Sequence, residues 1–415
     1  MNVGREFLVV ILFFALATTA SACPFCSALP HTLSDDLEES SVAVVVHCRG
    51  ASAGVDGIYT CKMQITDVIK GDSVLKNSVV EVESSTQLST NSVYWLVSFG
   101  DEELNWAPPE LISTDAIGYL RGLSRLPENG VTRLSYFLNF LPHQDDFIAA
   151  DAYNEFAEAS LDEIHGLRER LDRRWVIAQL QNGSTPVHRR RLCWTFLSQC
   201  GTAADIGLFD DAMRKREIDH DYDPGMDAAI ACLITLGGES SLARIEREFV
   251  SNPATTYADR IAAINAIRVH GTEYGVISRS RLAATLRRLL DRPELADLVI
   301  PDLARWQDWS AVDRMVELFS ESTEETSLLK PAIVRYLKAC ELPEAAEALG
   351  KLRSIDKQAV ERAESSMLLY SGVASVPVPM SMSDIGPPKT ASGEPSWQSE
   401  NDTKNQPRQG EPRRR

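Results

Sequence analysis

The fold is decided by a helical pattern that is clearest at 227–237, which reads Asp227-Ala-Ala-Ile-Ala-Cys-Leu-Ile-Thr-Leu-Gly237. The same arrangement of small and aliphatic residues, ended by a break, returns at 259–271 and at 331–340. Apolar residues at helical spacing that stop at such a break predict short amphipathic helices. Second predicted helices follow these segments at 242–249, 279–290, 312–319 and 344–352. Helix pairs that recur with a period of roughly 30 to 45 residues predict an α-solenoid.

The helical array is predicted to occupy residues 145–367, with about six helix pairs. Its later pairs are predicted to start near Pro186, Pro224, Tyr257, Leu295 and Ser327. The array, and the stretch from Arg292 to Trp309 in particular, resembles HEAT-like repeats of exported bacterial proteins with no assigned function. The resemblance implies a fold and no chemistry. Inside this stretch, Pro301 is predicted to kink or restart its helix because proline lacks a backbone N–H.

A small β region is predicted ahead of the helices, over residues 23–110, with a helical connector at 111–144. Its predicted strands are β-branched runs bounded by turns at 41–48, 58–70, 78–83 and 92–99. The strand order, together with a cysteine at the predicted mature start, resembles netrin-like or tissue-inhibitor-like domains, which implies a five-stranded OB-type barrel. The predicted fold is therefore multidomain and mainly α, with a small N-terminal β barrel or sandwich followed by a HEAT-like α-solenoid.

The chain termini carry targeting and tail signals. A positive start at Arg5, an apolar run and the small residues Ala20-Ser-Ala22 predict a signal peptide over 1–22, with Cys23 as the first mature residue. This predicts export to the periplasm or the extracellular space, without a membrane span in the mature chain. A lipid anchor on Cys23 is the alternative, although Ala20 stands where lipoprotein signals usually have Leu. The tail at 371–415, rich in Pro, Ser, Gly and Gln, is predicted to be disordered.

The charge balance limits the partners that the chain can have. The formal net charge is −17 and the isoelectric point is about 5.0. General nucleic-acid binding requires many Lys and Arg residues to replace counterions at phosphates, so this class of function is disfavoured. Adhesion to anionic membranes is disfavoured for the same reason.

The eight cysteines fall into two groups of four. Cys23, Cys26, Cys48 and Cys61 lie in the predicted β region, and an oxidising compartment would favour disulfides there. Cys48 and Cys61 are predicted to face each other across a hairpin and to bond, while Cys23 and Cys26 pair with each other or stay free. A redox role for Cys23 and Cys26 lacks a preceding strand, and zinc binding with His31 lacks a fourth ligand. The cysteines at 193, 200, 232 and 340 are predicted core residues.

No catalytic motif is present, and neither a cofactor nor a metal is predicted. The predicted helix at 279–290 contains the three basic residues Arg281, Arg287 and Arg288 on the side opposite its leucines. They either form a binding face for an acidic protein partner or pair with carboxylates of neighbouring helices. The favoured function is a non-enzymatic exported scaffold that binds a protein through its helical-repeat surface. The alternatives are a protease inhibitor that acts through the Cys23 amine and an exported enzyme with a dispersed site. The sequence does not indicate an oligomeric state.

Overall fold

A computed structural model of the chain describes residues 24–25, 32–54, 57–90, 92–100, 104–323 and 326–370. The predicted signal peptide, Cys23, Cys26, His31 and the predicted tail lie outside the described residues. The chain has an N-terminal antiparallel sheet of six strands, and the rest of the described part is mostly helical. The coarse prediction of a β region followed by many helices is therefore confirmed.

The sheet contains one long central hairpin with shorter strands on both sides. Its strands are β1 Val42–Ala53, β2 Tyr59–Lys70, β3 Val79–Ser84, β4 Val93–Phe99, β5 Asn105–Trp106 and β6 Glu110–Ile112. The strand order is β3-β2-β1-β4-β5, and β6 also pairs with β4. Strand β1 is longer than the predicted 41–48, because its second half pairs with β2 as far as Ala53 opposite Tyr59. No strand pair within the described ranges joins β3 to β5 or β6, so the structure does not show a closed barrel.

The sheet has a core on each face. Successive side chains of a strand point to opposite faces, and β1 is buried on both. Val45 and Trp95 belong to the large core that continues into the helices. Val44, Val46 and Met63 belong to a smaller core on the other face. The sheet therefore shares its main core with the first helices, and this contact positions the groove described below.

Five helices surround the junction between the sheet and the array. They are α1 Leu33–Glu39, α2 Thr114–Leu123, α3 Val131–Leu138, α4 Asp146–Glu158 and α5 Leu161–Gly166. Helix α1 begins with a reciprocal capping box in which the Thr32 side chain binds the Asp35 N–H and the Asp35 side chain binds the Thr32 N–H. Thr32 suits this position because its backbone is extended, as an N-cap requires.

The remaining helices begin close to the predicted starts. They are α6 Arg173–Gln181, α7 Val187–Cys200, α8 Gly207–Ile218, α9 Met226–Ile245, α10 Tyr257–Val269, α11 Arg279–Arg287, α12 Pro293–Arg305, α13 Val312–Glu321, α14 Leu329–Ala339, α15 Pro343–Ile355 and α16 Lys357–Tyr370. Helix α12 continues through Pro301, so the predicted restart there is wrong. Its fully buried side chains, which include Val299 and Leu303, hold the helix against its neighbours although proline removes one hydrogen bond.

Helix α9 joins the two helices that were predicted separately at 227–237 and 242–249. Between them, Gly238 alone leaves the helical region, with φ 58° and ψ −140°. A π-helical turn, Glu246–Val250, continues the second half. The segment Met226–Val250 is long and apolar enough to span a membrane by length and composition, which the sequence reading overlooked. More than half of its most apolar window is buried inside the protein.

Six arginines form ion pairs with carboxylates 32 to 43 residues away in the sequence. These inter-helix ion pairs are Arg173–Asp205, Arg191–Asp227, Arg216–Asp259, Arg244–Asp210, Arg268–Asp302 and Arg281–Glu246. The separation matches the predicted period of the helix pairs. Each ion pair therefore connects one helix to another about one period away.

Candidate functional site

A groove of about 600 Å³ lies where α1 and the end of β2 meet α2, α3, α4 and α5. Its lining includes six carboxylates, from Asp35, Glu38, Glu128, Glu155, Glu158 and Glu163. Among the described residues, the only cationic side chains that also line it are those of Lys70 and Arg133. The lining therefore carries a formal excess of four negative charges. We refer to this site as the junction groove.

Helix α1 forms one wall of the junction groove and is held at both ends. At its start, the Leu33 N–H donates a hydrogen bond to Asp151 Oδ1 at 2.7 Å. At its end, Lys70 Nζ donates to the Leu37 carbonyl at 2.5 Å and to the Glu38 carbonyl at 3.0 Å. A cation at a helix C-terminus is favoured because the last carbonyls carry partial negative charge. The positive charge of Lys70 therefore stabilises the C-terminal end of α1.

Asp151 anchors α4 beneath this wall. Its side chain accepts the Leu33 hydrogen bond through Oδ1 and a second one, at 2.5 Å, from the Tyr119 hydroxyl through Oδ2. Burial raises the pKa of Asp151 to about 7, although both hydrogen bonds act in the opposite direction. Burial also raises the pKa of Tyr119, and the adjacent Asp151 carboxylate adds to this effect. Tyr119 is therefore a fixed hydrogen-bond donor to Asp151.

Glu155 lies one helical turn after Asp151 and lines the groove, with only 2% of its side chain exposed. Its Oε2 accepts both Nε of Arg133 at 3.1 Å and Nη2 of Arg133 at 2.5 Å. Its Oε1 and the Ser34 Oγ are both fully buried. Burial raises the pKa of Glu155, whereas hydrogen bonding from the Ser34 hydroxyl and from Arg133 lowers it. Glu155 is thus a buried carboxylate that Ser34 and Arg133 stabilise.

The rim of the groove is more polar and more accessible. Glu38 and Glu128 are exposed, and Glu163 is half-buried. Glu163 accepts hydrogen bonds from the Gly130 N–H at 2.6 Å and from the Ser160 N–H and hydroxyl, both at 2.9 Å. Burial opposes its charge, but these bonds outweigh burial and lower its pKa. Glu163 therefore stays charged at neutral pH.

The arrangement suits the binding of a cation without coordinating a metal. Across the described part of the chain, no three His, Cys, Asp or Glu side chains are grouped so that they could hold a metal ion. The carboxylates of the groove instead lie around an opening that is large enough for one or two amino-acid side chains. Cationic side chains are attracted to such a concentration of negative charge because the potential is focused in a cleft.

The three basic residues predicted to form a binding face bind carboxylates of this chain. Arg281 donates to both oxygens of Glu246, at 2.6 and 2.8 Å, and Arg288 lies 3.7 Å from the same carboxylate. Arg287 pairs with Asp308. The leucines on the opposite side of the helix are buried as predicted. The structure therefore shows the second of the two open alternatives, intramolecular pairing, and an acidic partner at these residues stays a prediction.

Cys48 and Cys61 are free, fully buried thiols. The prediction that they face each other is wrong, because the β1–β2 register places Cys48 opposite Met63 and Cys61 opposite Ala51. Cys61 lies two residues along β2 from Met63, and a register shift between Cys48 and Gly50 adds one further β1 residue between the two positions. Diagonal neighbours lie about 7 to 8 Å apart, beyond the usual Cα separation in a disulfide. Their cross-linking stays a prediction and would require the strands to shift.

The remaining described cysteines behave as core residues. Cys193, Cys232 and Cys340 are buried, and Cys200 is half-buried. All four are free thiols. Burial raises the pKa of Cys193 to about 12 and that of Cys200 to about 11, which disfavours the reactive thiolate.

The sequence reading missed Asp151 and Glu155. Both lie on α4 at a spacing of one helical turn, and they alternate with Ala152 and Phe156, which are fully buried. Two acids on the buried stripe of an amphipathic helix are unusual, because buried charges require partners. These two acids on the buried side of α4 are the signal that could have indicated the groove from the sequence.

Comparisons with known proteins give no relative for this chain. No protein-family model matches it, and no curated protein or solved structure is significantly similar to it.

Proposed function

We propose that this protein is an exported, non-enzymatic scaffold that binds a protein partner, and that the junction groove is part of its contact surface. The observation that carries the proposal is the excess of four negative charges around a groove of about 600 Å³ whose wall includes the buried Glu155. Carboxylates gathered in a cleft favour recognition of a positively charged surface and increase the rate of association.

The helical part supports the scaffold role. We propose that it is a HEAT-like solenoid, because first helices start at Val187, Met226, Tyr257, Pro293 and Leu329, at spacings of roughly 30 to 40 residues. Helix α12 contacts α14, α14 contacts α16, and α13 contacts α15, so alternate helices pack against each other. Such arrays present long surfaces for protein partners.

The OB-type barrel and the export of the protein are also proposals. An OB-type barrel is supported by the pairing of β1 with both β2 and β4 and of β2 with β3. Export is supported by the signal-like sequence before Cys23. Intact mass of the mature protein tests export, because a mass that retains residues 1–22 would contradict it. The same measurement detects a lipid on Cys23.

The binding role is tested by reversing charge on the rim of the groove. The variant combines Glu38→Lys with Glu128→Lys, both at exposed positions. A matched control combines Glu344→Lys with Glu347→Lys on the exposed side of α15, so that the net charge changes equally. Each purified protein is used to recover partners from the native exported fraction, with quantification by mass spectrometry.

We expect a defined partner to be recovered by the wild type and by the control, and to be lost from the rim variant. Equal recovery by the rim variant, with an unchanged circular dichroism spectrum, would exclude the junction groove as the contact surface.

A further inference from the structure

We infer that Asn182, in the connection between α6 and α7, is a site of spontaneous covalent modification that converts its side-chain amide to a carboxylate. The chain contains two Asn-Gly dipeptides, at 129–130 and at 182–183. Glycine has no side chain to shield the backbone nitrogen that must attack, and its backbone bends freely. The structure leaves the second dipeptide free to react and restrains the first. The inference goes beyond the proposed function and does not depend on it.

The reaction takes place within the Asn182–Gly183 unit and requires only water. The Gly183 backbone nitrogen loses its proton and attacks Cγ of Asn182, which closes a succinimide ring. The carboxamide nitrogen of Asn182 takes up a proton and leaves as ammonia. Water then opens the ring at one or the other carbonyl group and gives aspartate or isoaspartate. Either product has one more negative charge than asparagine, and isoaspartate also adds a methylene group to the main chain.

The geometry at Asn182 favours this attack. Asn182 and Gly183 are exposed and lie outside the helices, and Asn182 follows α6 with an extended backbone at φ −75° and ψ 116°. The Gly183 N–H donates no hydrogen bond to another described residue, so the nitrogen has no partner to release. Asn182 Oδ1 accepts the Ser184 N–H at 3.0 Å, which polarises the carbonyl group under attack. The nitrogen is therefore free, and the carbon is made more electrophilic.

At the other dipeptide, the corresponding nitrogen is restrained. The Gly130 N–H donates to Glu163 Oε1 at 2.6 Å, and the Gly130 carbonyl accepts the Leu134 N–H at 3.1 Å in the first turn of α3. The backbone of Gly130 is held at φ 97°. Attack on Asn129 would require the loss of a hydrogen bond to a carboxylate, which is stronger than a bond between neutral groups. The lowered pKa of Glu163 makes it a weak base, so it holds this N–H without removing its proton.

The modification would alter a connection that is anchored to the core. Arg190 is buried, and its Nη2 donates to the Thr185 carbonyl at 2.6 Å and to the Gly183 carbonyl at 3.3 Å. An added methylene group would displace these carbonyls from Arg190. A carboxylate at position 182 would also lie at the C-terminal end of α6, where the last carbonyls carry partial negative charge. Both effects destabilise the modified chain.

The test follows the purified full chain during incubation at physiological temperature and mildly alkaline pH. Peptide mapping by mass spectrometry measures deamidation at each Asn-Gly dipeptide, and enzymatic methylation of isoaspartate provides a second readout. The variant is Asn182→Gln, whose longer side chain disfavours ring closure, and the matched control is Asn129→Gln. Circular dichroism confirms that both fold. A wild-type sample unfolded in guanidinium chloride gives the rate at each dipeptide without the restraints of the structure.

We expect Asn182 to react faster than Asn129 in the folded protein by about tenfold or more, the factor for one hydrogen bond to a charged group. The two rates should be similar in the unfolded chain, because glycine follows both residues. Asn182→Gln should remove nearly all isoaspartate from the folded protein, whereas Asn129→Gln should leave it unchanged. The modified wild-type fraction, separated by ion exchange, should melt at a lower temperature than the unmodified fraction.

Three results would overturn the inference. Equal rates at the two dipeptides of the folded protein would remove the role assigned to the structure. A faster reaction at Asn129 would make Glu163 a base that promotes the attack. A reaction at Asn182 that occurs only in the unfolded chain would show that the connection prevents ring closure. Equal melting temperatures of the modified and unmodified fractions would contradict the effect on the connection between α6 and α7.

Discussion

Replacing Asp151 by Asn should change how the stability of the protein depends on pH. Asp151 is 5% exposed, and its pKa rises from an ordinary value of 3.8 to about 7 because of burial. Asn has nearly the same shape, and its amide oxygen can still accept the hydrogen bond of the Leu33 N–H. The variant therefore removes the titrating group and leaves most of its contacts in place.

The sign and the magnitude follow from linkage. Between pH 4 and pH 7 the folded state holds a proton on Asp151 that the unfolded state has lost, so the free energy of unfolding falls as pH rises. The pKa difference is about 3 units, and one unit corresponds to about 1.4 kcal/mol, which gives about 4 kcal/mol as an upper value. Asn at this position does not incur this loss. The free energy of unfolding of Asp151→Asn, minus that of the wild type, should therefore increase by up to about 4 kcal/mol from pH 4 to pH 8.

Urea denaturation at half-unit intervals from pH 4 to pH 8 measures this difference. Burial lowers the pKa of His270 to about 4, which makes the protein more stable as pH rises through this range. This opposing contribution is present in both proteins and cancels in the difference. The control is Asp313→Asn, which removes an exposed carboxylate. A difference that stays constant over the whole range, or that decreases with pH, would refute the assignment of a raised pKa to Asp151.

Three further outcomes are expected. Glu246→Gln should destabilise the protein by about 2 to 3 kcal/mol in chemical denaturation, because the carboxylate accepts two bonds from one arginine and one from a threonine; a loss below about 0.5 kcal/mol would contradict this role. Gly271→Ala should lower the melting temperature, because the added Cβ would lie 2.1 Å from Cζ2 of Trp306. Gly350→Ala should raise the melting temperature, because its Cβ would enter open space on a helix. Equal shifts of the melting temperature in the two variants would contradict the close contact at Gly271. Cys61 should react with a thiol reagent only as fast as the protein unfolds, because it is fully buried and burial raises its pKa; rapid labelling of the folded protein would disprove this.

The local part of the fold could be predicted from the sequence. Helix α2, Thr114–Leu123, lies in the predicted helical connector, and its start and its apolar stripe are encoded within ten residues. Strand β2, Tyr59–Lys70, differs from its prediction by one residue. Trp309, at the end of the repeat-like stretch, lies with its ring 5.1 Å from that of Tyr336 on α14. In these elements, short-range signals agree with the tertiary structure.

The long-range part could not be predicted. The hydrogen bond from Leu33 to Asp151 joins residues 118 positions apart, and no local pattern specifies which acid meets which helix start. The register that places Cys48 opposite Met63, and not opposite Cys61, is also invisible in the sequence, because a two-residue slip leaves the same side chains on the same faces of the strands. The junction groove depends on contacts of this kind, so the sequence did not predict it.

The inter-helix ion pairs constrain how the chain can change in length. Each pair joins an arginine to an acid 32 to 43 residues away, and several of the acids are buried, such as Asp302 with 1% of its side chain exposed. Deleting a single helix would leave such an acid without its arginine inside the protein, which is costly. Gene variants that change the length of a connection between helices, and keep both partners of each ion pair, should therefore produce folded proteins far more often than variants that lose one helix.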